Sequence, residues 1–189
     1  MSTDRYIHSD KHINSDEHTT GPTKFDIILR RGIIADVPAL LDIYNDEVLH
    51  GVATLDLEPR TIAEWMEWFE QHNVDNHPLL VAVVDGHIAG YATLSAYRTK
   101  EAYKSTVELS VYIHRSFRRM GIANRLMDAI LTEAKQDDRT HLVISVITAG
   151  NEGSLRLHER FGFTFCGTTP EVGFKHGEYR DTESYALLV

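Results

Sequence analysis

An α+β fold, one mixed sheet with helices on both faces, is what this sequence predicts, and three observations carry it. Apolar residues recur at strand and helix spacing in the order β-α-α-β-β-β-α-β-α-β-β, which departs from the strict alternation of a doubly wound series. The run HLVISVI from His141 is almost continuously apolar, as a strand covered on both faces is. Asp85-Gly86 joins two apolar runs as a two-residue hairpin turn, so part of the sheet is antiparallel.

The bulk numbers bound the rest. The chain has 189 residues, 42% hydrophobic and 25% charged, which suits one domain over residues 25–189 behind a polar leader over residues 1–24. His8, His12 and His18 in that leader read as a solvated tail, since nothing around them supplies a fixed metal geometry, and no metal site is expected. No apolar run reaches the roughly 18–20 residues of a membrane span, and no basic segment leads into a hydrophobic one as in a signal peptide. Cys166 is the single cysteine, so an intrachain disulfide and a cysteine-based metal cluster are excluded, and a cytoplasmic setting is expected. A net charge of −9 argues against a nucleic-acid partner, so any basic residues that matter act locally.

The elements follow in order. FDIILRR is a strand. Asp36 is placed to cap the helix VPALLDIYNDEVLH, with Pro38 in the first turn, where a missing N–H costs little. Thr61 and Glu64 form a capping box ahead of a second helix, whose Ile62, Trp65, Met66 and Phe69 share a face. Trp65 and Trp68 are read as core or interface ahead of a ligand wall. LLVAVV and HIAGYATLSAY are the hairpin strands, and residues 98–104 connect them to VELSVYI. The next helix buries Ile122, Leu126, Met127, Ile130, Leu131 and Ala134. After HLVISVI comes a helix over Glu152–Phe161, stopped at Gly162. FTFCGT and YRDTESYALLV complete the strands. Cys166 is expected in the core rather than as a nucleophile.

The stretch from Val107 to Asn124, VELSVYIHRSFRRMGIAN, draws the chemistry together. A strand runs through a basic turn into a helix opened by Gly121. The first helical N–H groups lack intrahelical partners and sit at the positive end of the dipole, which makes an anion site. It lacks the Gly-Lys-Ser/Thr of a P-loop and the three spaced glycines of a dinucleotide fingerprint. Glu108 interrupts the strand upstream, and a carboxylate there suits a general base for an ammonium, which has no lone pair until it loses a proton.

Arg118, Gly121 and Ala123 resemble the Arg/Gln-x-x-Gly-x-Gly/Ala pyrophosphate signature of the GNAT acyl-CoA N-acyltransferases. The resemblance continues through HLVISV, Asn151, Ser154, Leu157, His158 and Phe161-Gly162-Phe163, and element order matches over residues 25–189. AYKSTVELSVYIH, NEGSLRLHERFGF and VGFKHGEYRD are similar to the phosphinothricin/methionine-sulfone acetyltransferase branch. The resemblance implies the GNAT fold, whose mixed central sheet contains a splayed parallel strand pair. It implies that Val111, Tyr112 and Ile113 pair with the pantetheine of acetyl-CoA, as an incoming strand would. Arg118, Arg119, Met120, Gly121, Ile122, Ala123 and Asn124 would hold its pyrophosphate, with Asn151, Ser154 and His158 completing the site. Glu108 would be the base, directly or through a water. His158, where the wider family has tyrosine, would be an acid or a CoA contact; a thiolate of pKa roughly 8–9 needs little help from an acid. Arg98, Tyr103, Glu108 and His176 would meet the acceptor, Arg98 because its planar fork suits a carboxylate, phosphinate or sulfone oxygen pair.

These implications converge on transfer of an acetyl group to the α-amino group of a small amino-acid-like acceptor, in a ternary complex, by a homodimer. Two readings stand beside it: the same fold acting on a polyamine, an aminoglycoside or a protein N-terminus, and a non-catalytic CoA-binding module.

Overall fold

A computed structural model describes residues 26–189; the leader with its three histidines, and Phe25 at the head of the first expected strand, lie outside the described residues. The order of elements is the expected one. Strand β1 (Ile27–Arg31) leads through a short 3-10 turn (Ile34–Asp36) into α1 (Val37–His50) and α2 (Ile62–Glu70). The hairpin β2 (Leu79–Val84) and β3 (His87–Ala96) follows, then β4 (Thr106–Ile113) and α3 (Ile122–Gln136). The chain closes with β5 (Leu142–Thr148), α4 (Glu152–Arg160), β6 (Thr164–Lys175) and β7 (Glu178–Leu188). All seven strands form one sheet in the order β1-β2-β3-β4-β5-β7-β6, antiparallel except for the β4–β5 pair.

Local chemistry accounts for most boundaries. Asp85 and Gly86 both take positive φ, at 49° and 80°, the conformation whose twist matches antiparallel strands. Thr61 Oγ1 accepts from Glu64 N, and Glu64 Oε2 accepts from Thr61 N at 2.8 Å, which closes the expected box at the start of α2. Asp36 precedes α1 but does not cap it. Its carboxylate turns back to accept from Ile33 N at 2.8 Å and from both Arg30 Nη atoms, so an ion pair outcompetes the cap. Gly162, at φ 82°, ends α4: its N–H reaches Glu159 O, and Phe163 N reaches His158 O.

Two apolar clusters sit on opposite faces of the sheet. α3 and α4 cover one face, and all six expected α3 residues are buried among Leu80, Ala92, Leu94, Val107 and Val143. α1 and α2 cover the other, with Leu40, Trp65, Leu79, Val81 and Tyr91 at its centre. Each fully buried aliphatic side chain contributes about 1.5–3 kcal/mol. The six on α3 therefore fix where its N-terminus points.

Three expectations change. β5 is fully packed on one face, through Val143, Ser145 and Ile147, while on the other Thr148 alone is buried and Val146 is 43% exposed: α1 and α2 pack against the sheet further along. Cys166 is exposed rather than in the core, because β6 is an edge strand without a helix over it. Ile62 is exposed at the first turn of α2, while Trp65 is buried.

Candidate active site

Strand alternation decides what β4 offers to each side. Val107 and Leu109 are buried beneath α3, with Val111 and Ile113 against the same cluster. Glu108, Ser110 and Tyr112 therefore face the α1/α2 side. β4 pairs with β5 only from Thr106 to Glu108, opposite Leu142 to Ile144. Beyond Glu108 the two strands part, and a cavity of about 430 Å³ opens between Leu109–Ile113 and Ser145–Thr148. The edge of β4 along this opening keeps unpaired backbone groups, apart from Ile113 O, which accepts from Arg118 Nε at 3.3 Å. An extended chain carrying amides fits such an edge as another strand would.

The turn from β4 into α3 closes one end. Arg119 has φ 66° and Gly121 φ 79° on either side of Met120, and left-handed residues interleaved in a turn aim backbone N–H groups into a concave, positive nest. The space that a Gly121 Cβ would enter is empty to 4 Å, which leaves that backbone open to a ligand. The N–H groups of Ile122, Ala123 and Asn124 take no partner among the described residues. Arg118 and Arg119 both line the cavity. Arg118 Nη2 donates to Glu47 Oε2 at 3.1 Å, so its charge is shared with α1, while Arg119 forms no ion pair among the described residues.

α4 closes the other end. Asn151 caps it, accepting from Ser154 N at 3.3 Å. His158 is buried one turn on, and its Nδ1–H donates to Ser154 O at 2.8 Å. That bond fixes the tautomer and leaves Nε2 as an acceptor, buried on the cavity wall without a partner among the described residues. Burial lowers the imidazole pKa, against the opposing pull of Ser154 O, so the ring is neutral near pH 7. Ser145 Oγ is a second buried polar atom without a partner on this wall.

On the α1/α2 face lies a second cavity, of about 330 Å³, lined by Tyr44, Trp65, Trp68, Tyr91 and Tyr112 with Thr93, Ser95 and Ser110. Ser110 and Tyr112 line both cavities, so the two meet at β4. Glu108 stands beside that junction, two residues before Ser110 and opposite Ser95 in the β3–β4 register. Its carboxylate makes no hydrogen bond among the described residues, and burial raises its pKa above the ordinary value of 4.5. A group so placed grips a proton harder than an exposed glutamate does.

The expected cofactor residues thus surround one opening. Val111, Tyr112, Ile113, Arg118, Arg119, Gly121, Ile122, Ala123, Asn124, Asn151, Ser154 and His158 all line it, while Met120 packs toward the core instead. The expected acceptor residues are more scattered. Arg98 lies over the rings of Tyr97 and Tyr103, at 4.9 and 5.4 Å, past the end of β3. His176 donates from Nε2 to Gly51 O at 3.1 Å. Arg98, Tyr103 and His176 line neither cavity, and neither does Glu108, which sits next to Leu109 at the edge of the first.

Sequence reasoning passed over the second cavity. Trp65 and Trp68 stack at 4.6 Å and belong both to the packed face and to the cavity wall, so core and ligand wall are one surface here. Tyr91 sits in a strand where an aromatic residue reads as ordinary core. Glu47 and Asp56 carried no spacing signal, because their partners Arg118 and Arg60 reach them only in the folded chain or across a turn.

Comparison with known proteins agrees with this geometry. The profile of the acetyltransferase (GNAT) family matches residues 37–163. A phosphinothricin N-acetyltransferase of Streptomyces coelicolor is 38% identical over 167 residues, covering 87% of this chain and 97% of that protein. An L-methionine sulfoximine/L-methionine sulfone acetyltransferase of Pseudomonas aeruginosa is 34% identical over 154 residues, covering 81% and 89%. A crystal structure of a GNAT superfamily phosphinothricin acetyltransferase from Sinorhizobium meliloti, in complex with acetyl-CoA, superposes with a TM-score of 0.83 at 32% identity, covering 86% of this chain and 88% of that one. The chain is an N-acetyltransferase of the GNAT family, in the branch that holds the phosphinothricin and methionine sulfoximine/sulfone acetyltransferases.

Proposed function

We propose that the protein acetylates the α-amino group of a small amino-acid-like acceptor, of the phosphinothricin, methionine sulfone or methionine sulfoximine type, using acetyl-CoA. The observation that carries this is the meeting of the two cavities at Ser110 and Tyr112 with Glu108 alongside. Acetyl-CoA fits the first cavity on this chain's own features: an unpaired strand edge for amides, a positive nest for phosphates, and partnerless Ser145 Oγ and His158 Nε2 between them. When bound it supplies the activated acetyl carbonyl.

The chain's residues do the rest. Glu108 takes a proton from the acceptor ammonium, directly or through a water, and exposes the lone pair that attacks. Its raised pKa keeps that transfer closer to balance than an ordinary carboxylate would. Backbone groups of Val111–Ile113 fix the thioester end, while Arg118, Arg119 and the N–H groups opening α3 hold the phosphates. His158 has an unprotonated Nε2 able only to accept a hydrogen bond, which favours contact over acid catalysis. Transfer is direct, since exposed Cys166 lines neither cavity and offers no acyl-enzyme. Arg98 and Tyr103, beyond the Glu108 end of β4, and His176 remain expected acceptor contacts, reached as loops or a second subunit close over the site.

The working form is a cytoplasmic homodimer. Phe165, Val172, Phe174 and Tyr179 expose a row of large apolar side chains on β6 and β7, which suits an interface between copies. Among the described residues no helix is long and apolar enough to cross a membrane, and the acceptor is a small molecule. Thiol release with methionine sulfone tests the reading: Glu108→Gln is expected to lower kcat by about 10²–10⁴-fold with the acetyl-CoA KM little changed. Equal turnover in the variant would remove Glu108 from the base role.

A further inference from the structure

The second cavity holds two buried donors that nothing among the described residues satisfies. Trp65 Nε1 and Tyr91 Oη are enclosed, have no hydrogen-bond partner, and belong to residues lining the cavity. Tyr91 is 1% and Trp65 5% exposed. A buried donor without an acceptor destabilises a fold unless a bound group supplies one, so such pairs mark places where a ligand or ordered water completes the structure.

Several neighbouring polar groups are already committed, while the Ser110 and Tyr112 hydroxyls, at the junction with the first cavity, make no hydrogen bond among the described residues. His72 donates from Nδ1 to Trp68 O at 2.7 Å and accepts from Ser95 Oγ at 2.9 Å, and Thr93 Oγ1 lies 3.1 Å from Ser95 Oγ. Charges at the mouth are tied up as well. Arg60 pairs with Asp56 at 2.7 Å and with Glu64 at 3.5 Å, and Tyr44 Oη donates to Asp56 at 2.8 Å. Among the lining residues one guanidinium stands against two carboxylates, and Lys175, buried beside Asp56, offsets part of that charge. An anionic side chain gains no uncommitted cation among the lining residues, because Arg60 already answers Asp56 and Glu64. The aromatic walls suit an apolar stem, and the two buried donors, Trp65 Nε1–H and Tyr91 O–H, suit neutral oxygen at its end.

We propose that this cavity receives the acceptor's side chain, and that Trp65 Nε1–H and Tyr91 O–H select a neutral, oxygen-bearing end such as a sulfone or sulfoximine over an anionic phosphinate and over an apolar chain. The inference deepens the acceptor reading above and rests on it. Ser110 and Tyr112 connect this cavity to the thioester end of the first, so a side chain seated here leaves its α-amino group beside Glu108. A site built around donors rejects an analogue without the matching oxygen because the donors are then left unpaired.

The test measures kcat/KM for methionine sulfone, phosphinothricin and norleucine with the full-length wild type, Tyr91→Phe and Trp65→Phe, each checked for folding by thermal melting. Wild type is expected to prefer the sulfone over both others. Each variant is expected to lower the sulfone-to-norleucine ratio by about three- to tenfold, the worth of one neutral hydrogen bond. A ratio, unlike a rate, is not moved by a loss of folded protein or by a general loosening. Should one variant fail to fold, the other decides. A preference for phosphinothricin, or a ratio unchanged within twofold in the folded variants, overturns the proposal while the acceptor reading stands. Wild type that turns over none of the three, yet acetylates a polyamine or peptide, overturns both.

Discussion

Glu108 is where a single side chain carries most consequence, and its environment gives two expectations with opposite outcomes for activity and stability. Burial raises its pKa, so the folded protein binds this proton more tightly than the unfolded chain does. kcat/KM is expected to fall as pH drops through that raised value, and the inflection is expected above the ordinary 4.5, in a pH–rate profile whose acid limb disappears in Glu108→Gln. Stability runs the other way. Between the unfolded and folded pKa values the native state holds more protons, so stability is lost as pH rises through that window. Glu108→Gln is therefore expected to melt higher than wild type near neutral pH, with the difference shrinking as pH falls below the window. His72 and His158 add a slope of their own. Burial lowers both, His72 to about 4, so the unfolded chain takes up protons first as pH falls below about 6.5. Stability is expected to drop from pH 6.5 toward 4, and His72→Gln, melted over the same range, is expected to flatten part of that fall. Glu108 was legible in the sequence because a carboxylate on an apolar strand breaks the pattern. Tyr91 and Trp65 were not, because burial of an aromatic ring is what the pattern predicts, and a missing partner for its polar atom shows only in three dimensions.

The turn between β4 and α3 is the element on which the proposed anion site depends. Gly121 holds φ 79° with empty space where a Cβ would lie, so substitution there costs through backbone conformation rather than collision. Gly121→Ala is expected to destabilise by about 1–2 kcal/mol, the ordinary cost of a left-handed non-glycine residue. It is also expected to weaken acetyl-CoA binding more than tenfold in a calorimetric titration, since the added methyl enters the space in front of the nest. Unchanged affinity would take the phosphate contact away from this backbone. Arg119 already carries φ 66° in the same turn, a conformation seldom kept by a non-glycine residue without support. Elements of this size were the most readable part of the chain. The capping box at Thr61, the Asp85-Gly86 turn, the apolar stripe of α3 and the stop at Gly162 are local in sequence, so local chemistry announces them. β5 shows the limit: an apolar run states that a strand is buried, but which face stays open depends on where distant helices pack.

At the scale of the molecule, the β6–β7 hairpin ties the sheet back to the loop that frames both cavities. Lys175 is 2% exposed and donates from Nζ to Thr54 O at 2.8 Å, beside Glu47 and Asp56. His176 reaches Gly51 O, and Thr148 Oγ1 donates to Val52 O at 2.6 Å. Residues 51–56 are thereby held from three points: Thr148 on β5, bordering the parallel gap, and Lys175 and His176 at the turn of the β6–β7 hairpin. Burial lowers the Lys175 pKa while the two carboxylates oppose the shift, and both of these line a cavity wall: Glu47 the first, Asp56 the second. Lys175→Met keeps length and removes the charge, so it leaves Thr54 O without its donor and the carboxylates without a shared cation. The variant is expected to lose about 1–3 kcal/mol of stability, the usual cost of an unsatisfied buried group. Hydrogen exchange is expected to quicken across residues 51–56 more than in α3, whose contacts lie on the opposite face. If the loop positions both substrates, the KM for acetyl-CoA and for the acceptor rise together while Glu108 keeps its pH inflection. A rise confined to one of them would mean that Lys175 serves one cavity alone, and that the hairpin does not couple the two.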